Sequence, residues 1–229
     1  MWRMLAVLAG PVVFFLLLEV LLSLLGAGYP TSFFVRSELP GLRTTNVHFG
    51  WHYQQETVAE PQPCLIPVEK PKNAIRVFVL GESAAMGTPD PSFGFVRILE
   101  VMLGRLYPDR PVQVVNAAMR GINSHVIVEI AGECAGLDPD AFVVYVGNNE
   151  FNGLYGPRTS LRFLAEHPSL IRIFHLAKRT RTGQLLRRVF GANPEARQAR
   201  KVVRDGGFFL DKRTALDDPA REATRSSIA

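Results

Sequence analysis

The chain opens on an apolar run. From Met4 to Ala27 the one ionisable side chain is Glu19. As a helix this run would measure roughly 36 Å at about 1.5 Å per residue, against a bilayer core of about 30 Å. Residues 1–28 are therefore expected to form a transmembrane anchor or signal-anchor, with Pro11 tolerated as a kink. Arg3 precedes the run, which predicts a single-pass protein with a cytoplasmic N-terminus. The following domain then lies on the outer side, periplasmic or extracellular, and the membrane lipid bilayer is a partner. A cleaved signal peptide leaving at Gly26-Ala27-Gly28 is the alternative, but the run exceeds the usual apolar region of about 7–15 residues.

From 29 to 74 the pattern loses its period. Pro30, Pro40, Pro61, Pro63, Pro67 and Pro71 punctuate it, and an extended Pro-containing linker is expected. Phe49, Trp51 and Tyr53 alternate as in a strand, with His48 and His52 beside them as structural or exposed side chains.

Beyond 74 two periods alternate. The run Ile75 to Leu80, ended by Gly81, predicts a buried strand. Apolar residues at 95, 98, 99, 102, 103 and 106 predict an amphipathic helix within Phe93 to Tyr107. Residues Val112 to Asn116 predict a second strand, 123–135 a second helix, and Ala141 to Val146 a third strand. Strands alternating with helices make a parallel sheet with right-handed crossovers. The fold class expected for 75–156 is α/β, a three-layer parallel sheet of flavodoxin-like type. Ligands meet such sheets at the carboxyl ends of the strands, here residues 81–88, 116–123 and 147–153.

Residues 157–229 read as a basic helical insertion and tail. Between 158 and 204 twelve basic residues face two acidic ones, so the whole-chain net charge of +5 is local to this stretch. Leu170, Ile173, Phe174, Ala177, Leu185, Leu186, Val189 and Phe190 lie near helical spacing. The expectation is a helical pair docking its apolar face on the sheet; a helix on an anionic membrane surface is the alternative. No nucleic-acid partner is expected. Cys64 and Cys134 are too few for a disulfide framework or a four-cysteine zinc site, and their pairing stays open.

Chemistry concentrates in the three loops. Gly81-Glu82-Ser83-Ala84-Ala85-Met86-Gly87 lacks the spacing and the Lys of a phosphate loop, and no G-x-G-x-x-G is present. This leaves a nucleotide-binding domain as the weakest reading. Ser83, directly after a strand, is an exposed nucleophile or a helix cap. Gly121 lets a backbone N–H approach a ligand closely. Gly147-Asn148-Asn149-Glu150 adds amide side chains.

Together these loops resemble the SGNH/GDSL hydrolase family. Gly81-Glu82-Ser83 corresponds to its Gly-Asp-Ser block with Glu for Asp. Gly121 matches the second block's glycine, and Gly147-Asn148-Asn149-Glu150 matches Gly-x-Asn-Asp, again with Glu for Asp. The surrounding Phe93-Gly94, Gly121-Ile122-Asn123-Ser124 and Phe151-x-Gly153 are similar to a membrane-anchored branch that often carries tetratricopeptide repeats. The resemblance implies ester hydrolysis or acyl transfer on an acylated small molecule, lipid or glycan, with no cofactor and no metal. Ser83 would be the nucleophile, and the Ser83 N–H, Gly121 N–H and Asn149 side chain would hold the oxyanion. The family's late Asp-x-x-His, which supplies the base, has no counterpart: no Asp here is followed three residues on by His. The five histidines are 48, 52, 125, 167 and 175, and His125 reads as structural. The chain is therefore expected to be truncated before that block and to have little or no activity. The alternative is a non-catalytic, membrane-anchored binding or scaffolding module that keeps the sheet.

Overall fold

The computed structural model describes residues 2–53, 60–147, 149–150 and 167–190, without the side chains of residues 2–8 and 168. The chain divides into two units, Met1–Leu185 and Leu186–Ala229. The first contains Ser83, Gly121 and Asn149. Its order begins with helix α1 (Trp2–Leu24), strands β1 (Phe34–Arg36) and β2 (Leu42–Thr45), a 3-10 turn (Phe49–His52) and β3 (Leu65–Pro67). Next come β4 (Ile75–Gly81), α2 (Ser83–Met86), α3 (Phe95–Leu106), β5 (Val112–Asn116), α4 (Ser124–Ala135) and β6 (Ala141–Tyr145). Helices α5 (Pro168–Arg179) and α6 (Arg181–Phe190) close the described part.

The expected strand and helix alternation is present, and its centre is β4. Val77, Phe78, Val79 and Leu80 are all buried, as a strand covered on both faces requires. β4 pairs in parallel with β5 on one side (Phe78 opposite Val115) and with β6 on the other (Phe78 opposite Phe142). The order β5-β4-β6 puts the first of these strands in the middle, so the first crossover runs from β4 to one side and the second crosses back from β5 to the other. The carboxyl ends of β4 and β6 therefore flank the switch point at which doubly wound sheets bind ligands. Among the described residues the parallel sheet has three strands, where the resemblance implies about five.

The expected fold class is corrected in two respects. First, the parallel sheet is accompanied by a second, antiparallel sheet of order β1-β2-β3, with Phe34 opposite Thr45 and Thr44 opposite Leu65. It lies within residues 29–74, which were expected to be linker. The prolines flank these short strands, and Pro67 closes β3 at a sheet edge, where a missing N–H costs no ladder bond. Phe33, Phe34, Phe49, Tyr53 and Ile66 join Phe78, Leu80, Val126, Ile130 and Cys134 in one buried cluster. Glu133 on α4 binds the same segment, accepting from Phe33 N at 2.8 Å and Phe34 N at 3.1 Å. The alternating Phe49, Trp51 and Tyr53 form a 3-10 turn and its end instead of a strand, with His52 buried against both Phe49 and Tyr53.

Second, among the described residues no helix is long and apolar enough to cross a membrane, so the expected transmembrane anchor and the membrane location built on it are overturned. The polar position in α1 has a protein partner. Glu19 accepts from Arg181 N at 2.7 Å and Thr182 N at 2.8 Å, the unpaired donors at the start of α6. Desolvation pushes this carboxyl up, but the two N–H bonds outweigh it and hold it below the ordinary range.

Helix α5 docks on the 3-10 turn and α4 through Ile171 and His175, whereas its Leu170, Ile173 and Leu176 are exposed. The elements expected within 151–166 and 191–229 lie outside the described residues. Cys64 and Cys134 are both free thiols; burial pushes the Cys134 thiol far up and out of the reactive range.

Candidate functional site

Gly81 ends β4 where no other residue fits. A Cβ there would collide with the Tyr145 carbonyl oxygen and Ala85 Cβ. The absence of a side chain lets β4, β6 and α2 converge, and the chain turns directly into Glu82 and Ser83. Ser83 begins α2 and is half-buried; Glu82, just before it, is fully buried. The cap alternative for Ser83 finds no support, because the position before α2 is Glu82 and no side chain caps that helix.

The second loop is tied to the first by Met119 N donating to Gly81 O at 3.1 Å. Asn116 braces it, donating through Nδ2 to Met86 O at 3.1 Å and accepting from Ala118 N at 3.2 Å. Gly121 has φ +71°, a left-handed conformation that glycine adopts without steric cost.

The third loop is held at three points. The Glu82 carboxylate accepts from Asn149 N at 2.9 Å and from Gly147 N at 3.4 Å. The Asn149 side chain donates from Nδ2 to Ile122 O at 2.9 Å, next to Gly121. Glu150 accepts from Ser124 N at 2.7 Å and Ser124 Oγ at 2.8 Å, capping α4. A side-chain amide nitrogen carries two hydrogens, so the Ile122 bond fixes the Asn149 rotamer and leaves one donor for a ligand. Ser83, Gly121 and Asn149 thus lie on loops joined by hydrogen bonds at the switch point. Asn148 is outside the described residues.

Two features were missed in the sequence. Glu82 and Glu150 were noted only as departures from a motif, yet each carboxylate bridges two loops. A charged residue placed between a buried strand and a small-residue turn was the available signal for Glu82. The other feature surrounds Glu129 on α4. It accepts from His175 Nδ1 at 2.7 Å, from Arg179 at 3.2 Å and from the Tyr53 hydroxyl. Desolvation raises this carboxyl, but the His175 and Tyr53 bonds outweigh it and hold it below the ordinary range. Ser124, His125, Glu129, Arg172 and His175 line a cavity of about 130 Å³ between α4 and α5. Burial holds the His125 imidazole below its ordinary value, so it is neutral at pH 7. The described residues contain no cluster suited to a metal ion.

The chain matches no protein-family model and no curated protein, so these comparisons identify neither an SGNH family nor a hydrolase.

Proposed function

We propose that Ser83, Gly121 and Asn149 form the nucleophile and oxyanion part of an SGNH-type serine site for an acylated small molecule, lipid or glycan, a site whose base these residues do not include. A base takes the Ser83 proton as Oγ adds to the acyl carbonyl and passes it to the departing alcohol, and water or a second alcohol then takes the acyl group from the serine. The oxyanion is held by the Ser83 N–H, the Gly121 N–H and the free N–H of the Asn149 amide, each such donor contributing about 10²–10³ in rate. One observation carries this reading: the Asn149 amide is oriented by Ile122 O at 2.9 Å on a loop bonded to the residue preceding Ser83. A glycine backbone and an amide side chain can both donate to an oxyanion without adding charge.

The Ser83 proton needs a base. The sequence holds no Asp-x-x-His to supply one, which is the ground for a second reading, a module that binds acyl groups without turnover. One experiment separates the two. A fluorophosphonate probe is incubated with the purified chain, with and without imidazole as an added base, and the adduct is located by mass spectrometry. Labelling at Ser83 that imidazole accelerates and that Ser83→Ala abolishes supports acyl chemistry. A folded chain left unlabelled in both conditions supports the binding module.

A further inference from the structure

The residue before the nucleophile position carries a buried carboxyl group that the proposed reaction does not use. Glu82 is fully buried, and a carboxylate out of water persists only where strong donors replace its hydration. Its described donors are backbone N–H groups of the neighbouring loop, at Asn149 and Gly147. Both lie just past Tyr145, the last residue of β6, where the backbone has left the sheet ladder and needs new acceptors. Glu82 therefore fixes the main chain of Asn149, while Ile122 O fixes its side chain. Both carboxyl oxygens of Glu82 accept, one from each N–H, so a single side chain holds two points of the loop.

We propose that Glu82 is the positioning residue of this site: its buried carboxylate, bonded to Asn149 N and Gly147 N, holds the Asn149 amide in place as an oxyanion donor beside Ser83. The role rests on the acyl-serine reading. Glu82 has no part in proton transfer; it acts through Asn149. Glutamine in its place has one carbonyl oxygen for the two N–H groups and turns an N–H₂ toward the other. Aspartate keeps the charge on a shorter arm.

The test uses the full chain, the fluorophosphonate probe and added imidazole, with the maximal labelling rate and the half-saturating probe concentration measured separately. Amide NMR signals of Asn149 and Gly147 are followed in parallel. In Glu82→Gln the maximal rate is expected to fall about 10²-fold, the penalty of a misplaced catalytic group, with half-saturation within about twofold. The Asn149 amide proton moves upfield as it loses a charged acceptor, and Glu82→Asp recovers part of both the rate and the shift. Should Glu82→Gln fail to fold, Glu82→Asp carries the same comparison against the wild type. A wild type that labels while folded Glu82→Gln labels equally fast overturns the positioning role and leaves the serine reading standing. Asn149 and Gly147 signals unmoved in a folded, slowed variant overturn it as well. A wild type that never labels at Ser83 removes the reaction itself, and with it any positioning role.

Discussion

One ionisable side chain is buried near the start of β4 and another just past its end, and the two are wired differently. At its start Arg76 is fully buried. Its guanidinium donates to Gln113 Oε1 at 2.8 Å, to Pro67 O at 3.1 Å and to Leu137 O. Those acceptors belong to β5, to the end of β3 and to the turn after α4, so one side chain ties both sheets and a helix together. Burial pushes the guanidinium below its ordinary value, with Asp138 and Asp140 opposing. The backbone N–H of Arg76 adds a bond to Asp140 at 2.6 Å, and Lys70 pairs with the same carboxylate at 2.6 Å. Just past the other end of β4, the donors to Glu82 include the backbone N–H groups of Asn149 and Gly147 in one neighbouring loop. The difference teaches a division of labour: a fork of donors reaching distant elements holds the fold, and an acceptor of adjacent N–H groups sets the shape of a loop.

The largest effect expected from this contrast is on stability at the amino end. Arg76→Met removes the donors of three acceptors and leaves buried oxygens unpaired, which costs about 3–5 kcal/mol. Urea unfolding at pH 7 measures it, and the labelling rate of the folded fraction stays within about twofold of wild type. A loss below about 1 kcal/mol, or a rate that falls in step with stability, breaks the contrast. At the carboxyl end the order reverses. Asn149→Ala lowers the maximal labelling rate about 10²–10³-fold by removing an oxyanion donor. Its stability cost is that of one hydrogen bond to Ile122 O, about 1 kcal/mol. Equal rates for Asn149→Ala and wild type would show that the loop's geometry serves something other than an oxyanion.

How much of this could be read in advance depends on distance along the chain. The run at β4, the helical spacing of α3, the limits of β5 and the glycines ending two strands are local signals, and all were legible. So were the loops that hold Ser83, Gly121 and Asn149, because strand-then-glycine marks a carboxyl end. The antiparallel sheet was hidden because its strands are three or four residues long, too short to show a period. Its apolar partners on β4 and α4 lie far along the chain. The role of Arg76 has no local signal, since its acceptors at 67, 113 and 137 become neighbours only on folding. The long apolar run of α1 suggested a membrane span because the partners of Glu19 are 162 and 163 residues away.

The smallest expected effect concerns a third carboxylate, Glu129, which tests whether the division of labour extends beyond β4. Its donors are side chains, Tyr53, His175 and Arg179, and they join α5 to the 3-10 turn. By the same logic it should act on the fold and leave Ser83 untouched. Burial, reinforced by the Glu129 charge, pushes the Tyr53 phenol far above its ordinary value, so Tyr53 remains a donor at every accessible pH. The folded-state pKa of Glu129 lies below the ordinary value of 4.5. Its stabilisation is therefore complete above about 4.5, the unfolded value, and is lost as pH falls through the lower folded value. Tyr53→Phe should cost about 1.5 kcal/mol at pH 7, the worth of a hydrogen bond to a charged group. The difference from wild type should shrink once Glu129 is protonated, because the bond that remains joins two neutral groups. Urea unfolding of both proteins at pH 7 and in steps below pH 4.5 follows this convergence. A gap that stays constant with pH removes the charge from the account, and a labelling rate that changes with Tyr53→Phe places this cluster with the chemistry instead of with the fold.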